Sequence, residues 1–444
     1  MKNTDTIVAI STANGNAAVG IIRVSGPKTD IISKHFFGKV EPRYAKYVKI
    51  KDGNNNVIDD AIVIRYVAPS SYTGEDMLEI QMHGNPILLK KFQDILCHEY
   101  CRLAKPGEFT ERAYLNNKLD LVQAEAVIDL INSSNYDASL AAQRSLQGKF
   151  SNTLTEIGDK ILYMRTLLES SINFPEDEIP DESSKKYKNE LDSLTKKVEY
   201  VIKTAKHGLK LNDQTKISIL GKPNVGKSTL SNCLLGEQAS IVSAIPGTTR
   251  DIVKNDLSLG DNVVTLFDTA GLRKTKDDIE SKGIDLSIKS SNFSDLILYV
   301  VDDEVGIDEI DMKFLTSNKN ECWIIINKID KTGKVAETGT YKGYKYFNLS
   351  ADTELGVELL KRELMSIRNS DHEKGATLAR ERHVESLKAC LKNLYNASKY
   401  NDNQQLDLIA EELRRSHLHL QNILGGDVDE ELLDEIFSNF CIGK

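Results

Sequence analysis

Hydrophobic and polar positions change their rhythm three times along the chain. Over residues 1–118 the apolar runs are short and strand-like, at 6–10, 19–24, 57–67 and 76–82. VIDDAIVIRYV alternates in part, as a half-buried strand does. A helix over 87–100 follows His83-Gly84-Asn85-Pro86, and Pro106-Gly107 precedes another short helix. From about 119 to 212 the period becomes helical. Leu154, Ile157, Ile161, Met164, Leu168 and Ile172 step by three and four and make one apolar face. FPEDEIPDESS (174–184) breaks that face, and Leu191, Leu194, Val198, Val201 and Ala205 make a second one. Residues 215–370 switch to KISIL, VVTLF, LILYVV and WIII, short apolar runs bounded by loops, as in a parallel sheet covered by helices on both faces. After about 372 helices return. The pattern predicts a multidomain α+β and α/β chain. It has an N-terminal α+β domain (1–118), a helical domain in two parts (119–212 and 372–444) and an α/β domain (213–371) inserted between those parts.

Composition narrows the classes. A chain of 444 residues suits roughly three domains. Its 28% charged and 40% hydrophobic residues read as a globular protein in water. The net charge of −9 argues against a protein that coats nucleic acid by electrostatics alone, although a local basic patch stays open. No apolar run approaches the roughly 20 residues that span a bilayer. MKNTDTIVAIST lacks the basic-then-apolar pattern of a secretory segment. With six scattered cysteines, reduced thiols and a cytoplasmic location are expected, with no membrane association. Cys97 and Cys101 have C-x3-C spacing but no second pair beside them, so they read as helix cysteines rather than as a metal site.

Chemistry enters at GKPNVGKS (221–228), which follows the strand KISIL and opens a helix. This is the context a phosphate loop requires: glycines turn backbone N–H groups toward phosphates, and the helix N-terminus adds positive potential. Lys227 is expected to reach the β- and γ-phosphates, and Ser228 to ligate Mg²⁺. Asp268-Thr269-Ala270-Gly271 comes about 40 residues on, after VVTLF. Asp268 is expected to hold Mg²⁺ through water, and the Gly271 amide to sense the γ-phosphate. Asn327-Lys328-Ile329-Asp330 follows WIII; there Asp330 accepts N1–H and the 2-amino group of guanine, a donor pair adenine lacks. Ser350-Ala351, after YKYFNL, sits where a backbone guanine contact belongs. In IVSAIPGTTRD (241–251), Thr249 is the favoured further Mg²⁺ ligand. Order and spacing match GTPases of the translation-factor-like class. Where Ras-like enzymes place a water-orienting glutamine, this chain has Leu272. Asp277, Asp278 and Glu280 are the nearby carboxylates that could orient water instead, and the residues alone leave the choice open.

The whole chain resembles the MnmE (TrmE) family of tRNA uridine-modification GTPases. The resemblance rests on DTIVAIST, VGIIRVSG, SYTGEDMLEIQMHGNP, PGEFTERAYLNNKLDLVQAEAVIDLI, the motifs above and the terminal FCIGK. It implies a Ras-like P-loop domain activated by K⁺ and by dimerisation across the nucleotide faces. By resemblance Asn224, Ser243, Ile245 (through its carbonyl) and Thr248 would ligate K⁺, at the place where an arginine finger puts its charge. Glu280 falls at the family's water-orienting position, with Arg250 and Arg273 as helpers. Ser228 and Thr249 would ligate Mg²⁺. The nucleotide would touch Asn224, Val225, Gly226, Lys227, Ser228 and Thr229; Ser243, Ala244, Ile245, Pro246, Gly247, Thr248 and Thr249; Asp268, Thr269, Ala270 and Gly271; and Asn327, Lys328, Asp330, Ser350 and Ala351. The N-terminal region would be a tetrahydrofolate-binding and dimerisation domain. Arg23, Glu79 and Lys118 would contact the folate, and the tail with Cys441 and Lys444 would return to that pocket. Pro246 and Ile329 are small departures from the family pattern.

These readings make the chain a homodimeric, K⁺- and Mg²⁺-dependent GTP hydrolase. It would act with the FAD-containing MnmG, as a heterotetramer, on the wobble uridine (U34) of tRNA. The group installed at C5 is of the carboxymethylaminomethyl or aminomethyl type, with carbon from 5-formyl- or 5,10-methylene-tetrahydrofolate. The alternative is a ribosome-assembly GTPase of the Era or Der type, an RNA-binding switch. It would be expected to carry a basic RNA-binding domain or a second G domain.

Overall fold

The structure, a computed structural model, describes residues 5–133, 135–173, 181–212, 215–235, 253–259, 262–268, 294–366, 377, 379–400, 405–426 and 429–443. The chain divides into two compact units. One comprises Met1–Asn132, Ala141–His207 and Thr377–Lys444; the other comprises Ser133–Leu140 and Gly208–Ala376.

The first unit opens with β1 (Ile7–Ile10), β2 (Ala17–Ser25), the short α1 (Thr29–Ile32), β3 (Lys46–Lys51), β4 (Val57–Tyr66), β5 (Met77–Gly84), α2 (Pro86–Glu99), β6 (Arg102–Leu103) and α3 (Glu108–Leu115). The sheet order is β3-β4-β5-β2-β1-β6. Helix α2 starts where the sequence says it should. Asn85 caps it, its side chain accepting from the Ile87 amide, and Pro86 occupies the first turn, where its missing N–H costs nothing. Leu89, Phe92 and Leu96 of α2 pack on Val8, Ile22, Val63 and Ile80. Phe109 of α3 and Tyr72 cover the opposite side of β1, at Ile7 and Ala9. Cys97 lies in α2, and Cys101 lies just past its end. Burial pushes the Cys101 thiol up to about 12.

Helices α4 (Leu121–Ile131), α5 (Tyr136–Leu146), α6 (Lys149–Asn173) and α7 (Asp181–Asn212) follow. The expected face of α6 is buried at Leu154, Ile157, Ile161, Met164 and Leu168, and that of α7 at Leu191, Leu194, Val198, Val201 and Ala205. Each such aliphatic side chain contributes about 1.5–3 kcal/mol by leaving water.

The second unit holds β7 (Thr215–Gly221), α8 (Lys227–Leu235), β8 (Val253–Leu259), β9 (Asn262–Asp268), β10 (Leu296–Asp302), α9 (Glu309–Ser317), β11 (Glu321–Asn327), α10 (Ile329–Thr332), β12 (Glu337–Tyr341), β13 (Tyr344–Asn348) and α11 (Val357–Ser366). The order is β12-β13-β11-β10-β7-β9-β8; β9, β7, β10, β11 and β13 run parallel, while β8 and β12 are antiparallel edges. Leu298 and Val300 of β10 face Leu230 of α8 and Leu360 of α11. Ile297, Tyr299 and Val301 face Leu315 of α9. Side chains alternate between faces, so a parallel strand buried on both sides reads as one unbroken apolar run.

The chain returns to the first unit with α12 (Glu381–Lys399), α13 (Leu406–Leu424) and α14 (Glu430–Ser438). Helix α13 packs against both α6 and α12, and Ile436 and Phe437 of α14 join Leu121, Ala124 and Ile128 of α4. A buried ionic node ties the two sequence-distant parts together. Glu125 of α4 is 1% exposed and accepts from Arg382 Nε and Nη2 (2.8 Å each) and from His383 Nε2 (2.8 Å), while Arg380 pairs with Asp129 at 3.0 Å.

Candidate functional site

The phosphate loop is shaped by what its neighbours allow. Gly221 ends β7 so close to the Val300 carbonyl that a Cβ would lie 2.2 Å from it. Asn224 has φ +64 and Gly226 φ +97, and a Cβ at Gly226 would sit 2.2 Å from Asn327 Nδ2. Lys227 Nζ donates to the carbonyls of Gly221 (2.9 Å) and Lys222 (2.5 Å), which holds the ammonium over the loop. Ser228 and Thr229 are exposed in the first turn of α8, and Val225 is buried. Asp268 closes β9 in register with Ile219 of β7, which brings its backbone to the same sheet edge as the loop. Exposed hydroxyls, a lysine and a helix N-terminus suit a polyphosphate with Mg²⁺.

Three segments at the ends of β7, β11 and β13 are joined through one buried side chain. Asn327 is 2% exposed; its Nδ2 donates to the Val225 carbonyl (2.9 Å), and its Oδ1 accepts from the Ala351 amide (2.9 Å). Lys328 is left-handed (φ +69); its Nζ donates to the Asn224 carbonyl (2.8 Å) and pairs with Asp302 (2.6 Å). Burial raises the Asp302 carboxyl, but the Lys328 ammonium and the Glu304 amide outweigh it and hold the group below the usual carboxylate range. Asp330 is exposed in α10, while Ile329 beside it is wholly buried and anchors the turn. Ser350 is fully buried and its amide bonds the Leu355 carbonyl. The arrangement thus gathers Asn224–Thr229, Asn327, Lys328, Asp330, Ser350 and Ala351 at one edge of the sheet. Ser243, Ala244, Ile245, Pro246, Gly247, Thr248, Thr249, Arg250, Thr269, Ala270, Gly271, Leu272, Arg273, Asp277, Asp278, Glu280 and Lys444 lie outside the described residues.

The N-terminal candidates are built from side chains instead. Arg23 and Glu79 are register partners across β2 and β5, and Arg23 Nε donates to Glu79 at 2.9 Å. The guanidinium lies 5.8 Å from the Tyr72 ring centroid, Tyr66 OH donates to Glu79 (3.4 Å), and the hydroxyls of Tyr72 and Thr110 bond at 2.9 Å. Burial pushes both tyrosine hydroxyls up, which favours their protonated form. Lys118 is exposed and donates to the Pro69 carbonyl (3.0 Å), so it reaches Arg23 only through the loop that carries Tyr72. That loop is pinned from below. Ser25 bonds Thr73 and Glu75 at 2.7 Å each, and Arg112, 1% exposed, pairs with Glu75 (3.0 Å), Asp5 (2.8 Å) and Glu108 (2.9 Å). The tail comes back to this domain: Ile442 bridges Pro106, and a Cβ on Gly443 would meet the Ile10 carbonyl at 2.5 Å, one residue from Ala9, the partner of Arg23. Cys441 is exposed.

Sequence reasoning missed Tyr66, Tyr72 and Thr110, and the acids Asp302 and Asp303. For the first group no local signal exists. For the second there was one: two acids directly after six apolar residues of a buried strand.

A phosphate loop joined through Asn327 to the Asn327–Asp330 turn marks a guanine-nucleotide hydrolase of the P-loop class. Residues 6–118 match the family described as GTP-binding protein TrmE N-terminus, and residues 121–441 the MnmE helical domain. The curated "tRNA modification GTPase MnmE" of Coxiella burnetii (strain Dugway 5J108-111) is 40% identical over 449 residues, covering 99% of each chain. That of Pasteurella multocida (strain Pm70) is 39% identical over 450 residues, covering 99% of this chain and 100% of the relative. The chain belongs to the MnmE family. Among solved structures, the G domain of the T. maritima FeoB iron transporter is 22% identical over 35% of this chain and 98% of that one, with a TM-score of 0.27. Era from Aquifex aeolicus bound to GDP·AlF4⁻ is 25% identical over 40% and 66%, with a TM-score of 0.26. Among the described residues no helix is long and apolar enough to cross a membrane.

Proposed function

We propose that this GTP hydrolase acts on tRNA, as the names of its full-length relatives say of them, and that it does so in the cytoplasm. Its partner would be the FAD-containing MnmG, in a heterotetramer built on a homodimer of this chain. The modification is at C5 of the wobble uridine (U34), and its carbon comes from 5-formyl- or 5,10-methylene-tetrahydrofolate. The observation that carries the reading is the pairing, in one chain, of a guanine site with the Arg23–Glu79–Tyr72 cluster beside the returning tail. Glu79 would accept from the amino and ring N–H donors of a pterin much as Asp330 accepts from guanine, and the cations Arg23, Lys118 and Lys444 would suit the anionic glutamate end of a folate. The domain limits follow the same reading: 1–118, 119–212 with 372–444, and 213–371.

In the hydrolytic step, Mg²⁺ and K⁺ would supply positive charge against the phosphates. Ser228 and Thr249 would hold Mg²⁺, with Asp268 acting through water; Asn224, Ser243, Ile245 and Thr248 would hold K⁺. Lys227 steadies the β- and γ-phosphates, and the amides from Asn224 to Thr229 stabilise the charge that builds on the leaving group. Glu280 would orient the attacking water, since Leu272 has no group to do so. Hydrolysis would drive conformational cycling and not the uridine chemistry.

The test compares GTP turnover in K⁺ and Na⁺ buffer for the parent and for Glu280→Ala, beside nucleoside mass spectrometry of tRNA from a deletion strain. Faster turnover in K⁺, a collapse of rate in Glu280→Ala and loss of wobble-uridine modification are expected. Equal rates in both salts would remove the K⁺ assignment. Normal modification in the deletion strain would remove the tRNA role. The Era- or Der-type alternative has no observation in its favour: the matched family regions cover residues 6–118 and 121–441, and similarity to MnmE relatives runs the full length.

A further inference from the structure

The turn that presents Asp330 is a single exposed helical turn, α10, and an isolated turn this short has no stability of its own. It also begins on a strained residue, since Lys328 is left-handed at φ +69, a conformation that non-glycine residues rarely adopt. Something must hold it. Two adjacent acids at the end of β10 do so, one at each end of the turn. Asp302 grips the entry: its carboxylate, 12% exposed, takes the Lys328 ammonium at 2.6 Å and is itself fixed by the Glu304 amide at 3.1 Å. Asp303 grips the exit: its carboxylate, 3% exposed, accepts from the Thr332 hydroxyl and from Lys334 Nζ (2.6 Å). The Asp303 amide meanwhile donates to the Asn327 carbonyl at 2.9 Å. The anchor is rigid, because every residue of β10 is buried and the strand pairs on both sides, with β7 and β11.

We propose that Asp302 and Asp303 are positioning residues for guanine recognition. They form a bracket that fixes the direction of the Asp330 carboxylate and, through Lys328, ties the base-reading turn to the Asn224 carbonyl of the phosphate loop. Neither acid touches the base. A carboxylate selects guanine by meeting two donors at once, which tolerates little rotation. A looser bracket therefore loses selectivity first: a base with both donors suffers more than hypoxanthine, which lacks the 2-amino group.

The inference rests on Asp330 reading guanine. Asp330→Asn tests that reading by itself, since an amide in place of the carboxylate should favour xanthine. The bracket is tested with Asp302→Asn, Asp303→Asn and the double change Thr332→Val/Lys334→Met, which loosens the exit while leaving both acids in place. The readouts are the affinities for fluorescent GDP and IDP in Na⁺ buffer, which need no K⁺ site, and kcat at saturating GTP. Loss of one charge-assisted bond predicts about a tenfold weaker GDP affinity, a smaller GDP-to-IDP preference and kcat within about twofold of the parent. GDP affinity within about twofold of the parent in Thr332→Val/Lys334→Met overturns the bracket. So does an equal proportional loss for GDP and IDP, because a merely structural role weakens both alike. A xanthine-preferring Asp330→Asn together with an intact bracket response supports both readings; a xanthine-indifferent Asp330→Asn overturns the guanine reading and the bracket with it.

Discussion

The two candidate sites of this chain are made in different ways. The candidate guanine site is a backbone construction: left-handed residues, strand ends and a helix N-terminus, with the Asn327 side chain fusing three loops among the described residues. The N-terminal site is a side-chain construction: Arg23, Glu79, Tyr66 and Tyr72 from separate segments, supported by the buried Arg112 cluster. A site made of backbone tolerates little change at its glycines. A site made of side chains weakens one bond at a time.

The sharpest way to break the comparison is Gly226→Ala. Its Cβ would lie 2.2 Å from Asn327 Nδ2 on a φ of +97, so the fused loops must separate. We expect fluorescent GDP binding to weaken by a hundredfold or more, on the order of 3 kcal/mol of clash and strain; binding near the parent value would show that the loop is not fixed by that contact. As large in free energy, but felt in stability and not in binding, is Glu125→Ala, which leaves Arg382 and the buried His383 facing a lost carboxylate. We expect about 3–5 kcal/mol of lost stability in urea unfolding, with GDP affinity of the surviving folded protein unchanged.

The same node predicts a pH dependence. Burial raises the Glu125 carboxyl, but His383 and Arg382 outweigh it and hold the group at about 2, below its ordinary 4.5. Burial lowers His383 more than Glu125 raises it. Both folded groups therefore bind protons less readily than the unfolded chain. Their stabilisation is complete above the ordinary histidine value near 6.5, begins to fade below it, and is lost further as pH falls from about 4.5 toward 2. The carboxylate share is about 3 kcal/mol. Urea midpoints should fall on acidification of the parent, and Glu125→Gln should remove the share below pH 4.5; identical profiles would place the acid sensitivity elsewhere. Smaller again is Arg23→Ala. Tetrahydrofolate binding should weaken by about tenfold, one charge-assisted contact, while GTP turnover in K⁺ stays at the parent rate. Lys118→Ala, an exposed lysine on one carbonyl, should shift the unfolding free energy by less than about 1 kcal/mol and test whether that residue contributes to folate affinity at all.

The contrast also decides what the sequence could reveal. Glycine and lysine at fixed spacing announce the phosphate loop, because few other residues adopt those angles. Arg23 and Glu79 stand 56 positions apart, and nothing local marks them as partners; only the family resemblance singled them out. The same logic governs the fold. Nine strands follow from apolar runs. The four that do not, β3, β6, β8 and β12, are the edges of the two sheets. KYVKIK, VKNDLSL and ETGTY carry lysine, acid and threonine where a central strand carries valine and isoleucine. Edge strands need polar residues to avoid pairing with other molecules, so they hide from a search for hydrophobicity. The apolar faces of α6 and α7 were legible for the opposite reason: five buried positions repeat in step on each.

The Glu125 node has a consequence in time. Its hydrogen-bonded partners Arg382 and His383 stand 257 and 258 residues downstream. On a ribosome adding about 5–20 residues per second, the acid waits on the order of 13–50 seconds for its bases to be made. The whole G domain emerges in that interval. The nucleotide-binding half can finish folding, and load its ligand, before the helical half has its closing charges.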